Sequence, residues 1–198
     1  MAERLETRLE GLILVQPKVF GDERGFFAET YRREEWGSLG IGHDFVQDNH
    51  SRSRRGVVRG LHFQAHSGPR GDGQVKLVRC ARGTILDVVV DIRRGSPTFG
   101  QWEAFELSDE NMRQVLCPAG FAHGFCVVSE VADVVYRCDA YYDPRYESGI
   151  AFDDPDLAIA WPDDLELVPS SRDAQAPRLR EVADDLPFEY EPAAGRAG

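Results

Sequence analysis

Long apolar runs are absent from this chain of 198 residues. No uninterrupted hydrophobic segment approaches the roughly 20 residues that a helix needs to span a bilayer. The N-terminus, MAERLETRLEG, alternates charge with leucine and lacks the apolar centre of a signal peptide. We therefore expect a cytoplasmic protein with no membrane partner.

Basic residues are outnumbered in this sequence. The chain has 23 lysines and arginines and 34 aspartates and glutamates, which gives a net charge of −11 at pH 7. This excess of negative charge disfavours binding to a nucleic-acid polymer or to an anionic membrane. It does not exclude a small anionic ligand, because a local cluster of arginines can outweigh the field of the whole protein.

Closely spaced cysteine pairs are also absent. The chain has four cysteines, none of them in a C-x-x-C arrangement, and each lies within or beside an apolar run. Small buried thiols are therefore favoured over disulfides or a zinc site. The four residues are Cys80, Cys117, Cys126 and Cys138.

Few segments have the periodicity of a helix. Most are short, alternate apolar and polar residues, and are separated by turns that contain glycine or proline. Residues 33–39 can form one short helix, whereas residues 84–92 (TILDVVVDI) have the β-branched composition of a buried strand. Residues 12–20 form a strand-like run whose Pro17 suggests an edge or a bulge. Residues 126–129 and 131–138 look like a strand pair. Many short strands predict a sandwich or barrel.

The composition changes towards the C-terminus. Residues 179–198 mix acids, prolines and small residues, which is typical of a short helix followed by a frayed end. We predict one domain over residues 1–180 and an acidic, proline-containing tail over residues 181–198.

Residues 45–64, FVQDNHSRSRRGVVRGLHFQ, combine histidines with a cluster of arginines. Strand alternation puts Arg59 on one face and His62 with Gln64 on the other, unless a bulge intervenes. A basic face beside a histidine suggests an anionic small molecule held next to a proton-transfer group. The alternative is a solvated basic face with a structural histidine.

Residues 118–125, PAGFAHGF, contain a P-x-G-x-x-H arrangement that ends in His123. It resembles the second motif of the cupin superfamily, a double-stranded β-helix of the jelly-roll type. In metal-binding cupins this histidine is a ligand, but the usual H-x-H of the first motif is missing. The candidates His62 and His66 are spaced H-x-x-x-H, with a loop beginning between them. We predict that there is no metal site.

Several motifs together resemble one family. They occur in the same order over roughly residues 8–180, and they are FGDERGFFAETY, FVQDNHSRSRRGVVRGLHFQ, QVKLVRCARGTILDVVVDIRRGSPTFGQW, PAGFAHGF, residues 136–144 and DDP…WP…SSRD. The chain resembles the dTDP-4-dehydrorhamnose 3,5-epimerases of deoxysugar biosynthesis. This resemblance implies a mainly β cupin jelly roll with short peripheral helices.

The resemblance also implies a reaction. The family inverts C3 and C5 of dTDP-4-dehydro-6-deoxy-D-glucose to give dTDP-4-dehydro-L-rhamnose. The C4 ketone acidifies the hydrogens on both flanking carbons. Epimerisation then needs a base on one face, an acid on the other, a cation near the enolate oxygen and groups that hold the diphosphate. It requires no cofactor.

Four residues match the catalytic positions of the family. His62 is the expected base, and Asp173 is the carboxylate that fixes its tautomer and stabilises the imidazolium. Tyr136 is the expected acid on the opposite face, and Lys76 lies near the C4 oxygen. From the residues alone, Tyr136 can instead be a core aromatic, Asp173 a loop carboxylate and Lys76 a solvated edge residue.

Nine further positions match substrate contacts of the family. Arginine suits a diphosphate because its planar fork forms paired, charge-assisted hydrogen bonds. The nucleotide and diphosphate contacts are Arg24, Glu29, Gln47, Asn49 and Arg59. The remaining positions are His123 for the keto-sugar, Tyr142 for stacking on the base, and Glu147 and Arg172, the last of which is often lysine in the family.

The family's N-terminal strands contribute across a dimer interface, so we expect a homodimer. Two departures stand out. The loop over residues 65–74 is longer and richer in glycine than is usual, and Phe63 replaces a tyrosine. Two other functions stay open: an epimerase of C3 only or C5 only from antibiotic-sugar biosynthesis, and a non-catalytic sugar-nucleotide-binding or metal-dependent cupin.

Overall fold

Two antiparallel sheets form the body of the protein. The computed structural model describes residues 1–68 and 71–192. Within these residues the strands are β1 (Glu3–Leu5), β2 (Ile13–Gln16), β3 (Val19–Asp22), β4 (Gly25–Ala28), β5 (Gln47–Arg54), β6 (Val58–Gln64), β7 (Lys76–Arg82), β8 (Thr84–Asp91), β9 (Trp102–Ser108), β10 (Gln114–Cys117), β11 (Phe121–Val127), β12 (Val131–Cys138) and β13 (Glu147–Gly149). The helices are α1 (Arg33–Ser38) and α2 (Leu179–Val182), with 3₁₀ turns at Asp173–Gln175 and Ala183–Asp185.

The first sheet has the strand order β1-β2-β10-β7-β12-β5, and the second has the order β13-β6-β11-β8-β9. Strands β3 and β4 form a separate hairpin. The helices are short, and the predicted mainly β fold is confirmed. No helical segment among the described residues has the length and apolar character required to cross a bilayer.

The main core lies between the two sheets, where alternate residues of each strand point inward. Val78 and Cys80 of β7 are buried there together with Val89 of β8 and Val134 of β12. Lys76 shares the inward face of β7, as the alternation predicts. The core therefore ends at Lys76, where the space between the sheets becomes polar.

All four cysteines are buried free thiols, as expected. Burial raises the pKa of the Cys80, Cys126 and Cys138 thiols to about 11. It raises the pKa of the Cys117 thiol to about 12. These thiols act as small apolar side chains in the core.

Two strand predictions need correction. The run over residues 12–20 is two strands, β2 and β3, and Pro17 lies in the break between them. Strand β2 has neighbours on both sides, so it is not an edge strand. The predicted strand pair over residues 126–129 and 131–138 is wrong, because β11 lies in the second sheet and β12 in the first. The chain crosses between the sheets there, and the P-x-G-x-x-H histidine lies inside β11.

Part of the predicted tail packs against the outer face of the second sheet. Leu186 and Phe188 are buried in a cluster with Leu61 and Val88. The Phe188 ring meets Phe63 edge to face, with 5.7 Å between the ring centroids. The boundary after residue 180 stays a prediction, and residues 193–198 lie outside the described residues. Residues 69 and 70 of the glycine-rich loop also lie outside them.

Candidate active site

A cavity of about 560 Å³ opens between the two sheets. The first sheet supplies Ser51, Lys76 and Tyr136, and the second supplies side chains of β6 and β11. Loops after β12 and near the C-terminus close the rim. The full lining is Ser51, Val57, Val58, Arg59, His62, Lys76, His123, Phe125, Tyr136, Tyr142, Glu147, Val168, Pro169, Ser170, Arg172 and Asp173.

A β-bulge in β6 brings Arg59 and His62 to the same face. His62 is paired with His123 and Arg59 with Phe125, so three steps along β6 match two steps along β11. Strict alternation predicts that Arg59 and His62 lie on opposite faces of β6, and this prediction is wrong. The extra residue of the bulge changes which face the following side chains occupy. Gly60 permits this geometry because its φ is +133° and a Cβ there would lie 2.5 Å from the Cα of Gly124.

His62 and Asp173 form a hydrogen-bonded pair, as predicted. The His62 Nε2 atom lies 2.7 Å from Oδ1 of Asp173. The histidine side chain is 26% exposed and the aspartate 4%. Because the carboxylate accepts from Nε2–H, the lone pair of the neutral ring lies on Nδ1. Burial lowers the pKa of His62, although Asp173 opposes that shift. The ring is therefore neutral at pH 7 and able to accept a proton.

Tyr136 lies in the opposite wall of the cavity from His62. It belongs to β12 of the first sheet, between Asn49 of β5 and Val78 of β7. Burial raises the pKa of its phenol, so the hydroxyl keeps its proton at neutral pH. Tyr136 packs against the core and also lines the cavity. Tyr136 is thus both a core residue and part of the cavity wall.

Two cationic side chains line the cavity without a carboxylate partner among the described residues: Lys76 at the start of β7 and Arg59 in β6. The Arg59 guanidinium donates a hydrogen bond to the hydroxyl of Ser53 at 3.0 Å. An uncompensated guanidinium and an ammonium group make this cavity a favourable place for a bound anion.

A polar cluster forms the rim of the cavity. Arg172 makes an ion pair with Glu147, and the Tyr142 hydroxyl donates to the same carboxylate at 3.0 Å. Burial works against the charged form of Glu147, but hydrogen bonds from Arg172 and Tyr142 outweigh it and lower the pKa of the carboxyl group. Tyr142 is 52% exposed, which leaves its ring available for stacking.

Gln47 and Asn49 lie beside the cavity rather than in its lining. Both share the inward face of β5 with Ser51, which does line it. The Gln47 side chain accepts a hydrogen bond from the backbone N–H of Tyr142 at 2.9 Å. It also donates to Asn49 at 3.1 Å. The two amides therefore extend the polar surface along β5, next to the rim.

Arg24 and Glu29 do not reach the cavity within one chain. Arg24 lies in the turn between β3 and β4 and makes an ion pair with Asp22. Glu29 follows β4 and makes an ion pair with Arg32 at 2.6 Å. The hairpin joins neither large sheet, which keeps these two residues away from the other predicted contacts.

Two polar groups of the site were not predicted from the sequence. Ser51 lines the cavity, and its hydroxyl is buried without a hydrogen-bond partner in the described part of the chain. Its alternation with Gln47 and Asn49 was the available signal. Asp87 lies beneath the cavity and bonds to His123 at 2.8 Å. The signal in that case was a carboxylate in the middle of the apolar run of β8.

The two departures from the family pattern do not line the cavity. Phe63 points to the outer face of the second sheet, where it packs on Phe188. The described part of the loop over residues 65–74 contributes no side chain to the lining.

A family model described as dTDP-4-dehydrorhamnose 3,5-epimerase matches residues 6–181. The chain belongs to this family. A dTDP-4-dehydrorhamnose 3,5-epimerase from Salmonella typhimurium is 48% identical over 177 residues, covering 88% of this chain and 94% of the relative. The protein is therefore an epimerase, and the reading as a non-catalytic cupin is not supported.

Solved structures agree with the family assignment. A 3,5-epimerase from Legionella pneumophila, in complex with dTDP-4-keto-L-rhamnose, matches with a TM-score of 0.89 and 45% identity over 96% of this chain and 100% of that one. A 3′-monoepimerase from Streptomyces bikiniensis, in complex with dTDP-quinovose, matches with a TM-score of 0.83 and 39% identity over 90% and 88%. The predicted jelly roll is confirmed.

Proposed function

We propose that this 3,5-epimerase converts dTDP-4-dehydro-6-deoxy-D-glucose into dTDP-4-dehydro-L-rhamnose, a step of L-rhamnose biosynthesis. One observation carries the proposal: the His62–Asp173 pair and the phenol of Tyr136 lie in opposite walls of one cavity. A base and an acid on opposite sides of a sugar ring are what inversion of a carbon next to a ketone requires.

In the first step His62 removes a proton from a carbon next to the C4 ketone. Nδ1 accepts the proton, and Asp173 stabilises the imidazolium that forms. The electron pair of the broken C–H bond moves into the enolate, and negative charge develops on the C4 oxygen. The Lys76 ammonium stabilises that charge, and one preorganised donor of this kind contributes about 2.7–4 kcal/mol.

In the second step Tyr136 protonates the same carbon from the opposite face. The enolate becomes a ketone again, and the stereocentre is inverted. His62 then holds one proton more and Tyr136 one proton fewer than at the start. Exchange with water restores both groups before the second carbon reacts. No redox cofactor enters this balance, and we expect activity to survive treatment with a chelator.

The nucleotide lies at the open end of the cavity in this proposal. Arg59 holds the diphosphate, Tyr142 stacks on the base, and the amides of Gln47 and Asn49 bind along β5. His123 contacts the sugar. Glu147 and Arg172 line the rim, where they form an ion pair.

We also propose a homodimer in which the β3–β4 hairpin of one protomer reaches the cavity of its partner. The hairpin exposes apolar rings, with Phe20 53%, Phe26 62% and Phe27 69% exposed, and it carries Arg24. Exposed aromatics of this kind mark an interaction surface. Light scattering at micromolar concentration should give twice the mass of the chain, and a monomeric mass would rule this arrangement out.

A cytoplasmic location is part of the proposal. The four free thiols suit a reducing compartment, where disulfides are rare. Cell fractionation with an antibody against the protein tests this point.

The decisive experiment is incubation of the sugar nucleotide in deuterated water, followed by NMR of the product. A 3,5-epimerase places deuterium at both C3 and C5 and inverts both centres. Deuterium at one carbon only would instead support a monoepimerase, a possibility that the fold allows because the Streptomyces bikiniensis enzyme shares it.

Replacing Arg59 tests the diphosphate contact. Arg59→Ala should raise KM about 10- to 100-fold, since a hydrogen bond to a charged group contributes roughly 1.5–3 kcal/mol. The contact exists in both ground and transition states, so kcat should change little. Steady-state kinetics with Arg55→Ala, a neighbouring surface arginine paired with Asp164, provides the control. A collapsed kcat at unchanged KM would place Arg59 in the chemistry instead.

A further inference from the structure

A second histidine–carboxylate pair lies beside the first. His123 of β11 stands directly opposite His62 of β6 in the sheet register. Its Nε2 atom is 2.8 Å from Oδ2 of Asp87 on the next strand, β8. The His123 side chain is 8% exposed and lines the cavity, while Asp87 is 0% exposed and does not. Asp87 therefore reaches the cavity only through His123.

Asp87 occupies an unfavourable place for a carboxylate. Its register partners are Phe125 on one side and Phe105 on the other. The second oxygen, Oδ1, is buried and has no hydrogen-bond partner among the described residues. Burying a charged or polar group without partners costs several kcal/mol, and an apolar side chain of similar size often fits such a site better. Packing and stability alone do not account for an aspartate here.

We propose that Asp87 is a positioning residue that fixes His123 as the Nε2–H tautomer, so that Nδ1 accepts a hydrogen bond from a hydroxyl group of the sugar. In a neutral imidazole one nitrogen donates and the other accepts. A carboxylate only accepts, so its bond to Nε2 assigns the proton to that atom and the lone pair to Nδ1. The identity of the ligand as a sugar rests on the proposed function, whereas the tautomer does not.

The chain offers a matched control four residues along the same strand. Asp91 is as fully buried as Asp87. Its carboxylate is, however, bonded to Arg93 at 2.7 Å and to the hydroxyls of Ser96 and Thr98 at 2.6 Å. None of these partners lines the cavity. Asp91→Asn therefore disturbs a buried carboxylate of β8 without reaching the substrate.

The kinetic test compares four variants with the dTDP-linked substrate. Asp87→Asn keeps the shape of the side chain but no longer fixes the tautomer of His123. KM should therefore rise about tenfold, because the loss of one hydrogen bond worth roughly 1.4 kcal/mol weakens binding by that factor. We expect kcat to stay within about threefold, because the contact is made in ground and transition states alike. His123→Asn should match it. The double variant should add nothing further, since Asp87 acts through His123. Asp91→Asn should leave KM near the wild-type value.

Two kinetic outcomes would overturn the contact between His123 and the sugar or its dependence on Asp87. If Asp87→Asn and Asp91→Asn have the same KM, the tautomer of His123 does not affect substrate binding, and the sugar contact is refuted. If the Asp87 and His123 effects add, Asp87 does not act through the histidine. Should Asp87→Asn fail to fold, Asp87→Ser offers a smaller acceptor at the same place for the same comparison.

A spectroscopic test needs no substrate. In protein labelled with ¹⁵N-histidine, the nitrogen shifts of His123 should report a protonated Nε2 and an unprotonated Nδ1, and Asp87→Asn should mix the tautomers. A proton on Nδ1 in the wild-type protein would overturn the assignment whatever the substrate is. A correct tautomer with no change in KM would refute only the sugar contact, so the two failures can be told apart.

Discussion

The two histidine–carboxylate pairs have nearly the same hydrogen-bond length but differ in exposure and support. In the first, 2.7 Å long, His62 is 26% exposed, and Asp173 stands on a short 3₁₀ turn near the C-terminus. In the second, 2.8 Å long, His123 is 8% exposed, and Asp87 is fixed in β8, an interior strand of the second sheet. A histidine that must exchange protons with water needs access, whereas one that only orients a substrate benefits from rigidity. The same pair of side chains can therefore serve two roles within one cavity.

The largest expected effect separates the two histidines. His62→Asn should lower kcat about 10³-fold, within the range for loss of a general base, and should abolish deuterium uptake at both C3 and C5. His123→Asn should retain exchange at both carbons and lose mainly affinity. NMR in deuterated water measures both variants side by side. If both variants lost deuterium exchange equally, the two histidine–carboxylate pairs would not have the separate roles assigned to them.

Tyr136→Phe tests whether the first pair works on one face only. Inversion at C5 should fall about 10²-fold or more because the donor on the second face is gone. Deuterium exchange at C5 should partly survive, since His62 can return a proton to the original face. The readout is exchange measured together with product stereochemistry. Inversion of C5 at the wild-type rate would mean that Tyr136 is only a core aromatic.

Asp173→Asn should have a smaller effect than loss of the histidine itself. We expect kcat to fall about 10²-fold, since the base remains but its tautomer and its imidazolium lose their support. Asp153, an exposed carboxylate outside the cavity lining, provides the control as Asp153→Asn. A wild-type kcat for Asp173→Asn would show that the pair is structural.

The pH profile gives the smallest and most specific test. Burial lowers the pKa of His62, so the acidic limb of kcat/KM should lie below the ordinary histidine value of about 6.5. Below that limb the ring is protonated and cannot act as base. Because Asp173 raises the pKa against this trend, Asp173→Asn should move the limb to still lower pH. A limb that moves to higher pH would contradict the assigned partner. The buried phenol of Tyr136 keeps its proton, so the basic limb should lie above about 10.

Sequence patterns predicted individual strands well but not their neighbours. Alternation identifies which side chains of β7 share a face, and Lys76, Val78 and Cys80 do so. It contains no information about which sheet a strand joins, and for this reason β11 and β12 were paired with each other in the prediction. The acidic composition near the C-terminus likewise gave no indication that Leu186 and Phe188 pack that segment against the second sheet.

The site was predicted mainly from the family resemblance, and its local geometry was not. His62 and Asp173 are separated by 111 residues, so no local pattern joins them. The shared face of Arg59 and His62 depends on a bulge, and Gly60 permits this bulge by its close approach to Gly124 on another strand. Asp87 was not predicted because an apolar strand indicates a core position, and a carboxylate within that strand becomes informative only once the structure places His123 beside it.

The buried thiols have a practical consequence for following this enzyme at work. With pKa values raised to about 11 or 12, only about one thiol in 10⁴ or fewer is a thiolate at neutral pH, and the thiolate is the form that alkylating reagents attack. A maleimide dye should therefore ignore the four native cysteines. Tyr141 is 72% exposed and precedes the rim residue Tyr142. A dye on Tyr141→Cys would then be the single attached label on each chain, and its emission would report nucleotide entry in real time without prior removal of any native cysteine.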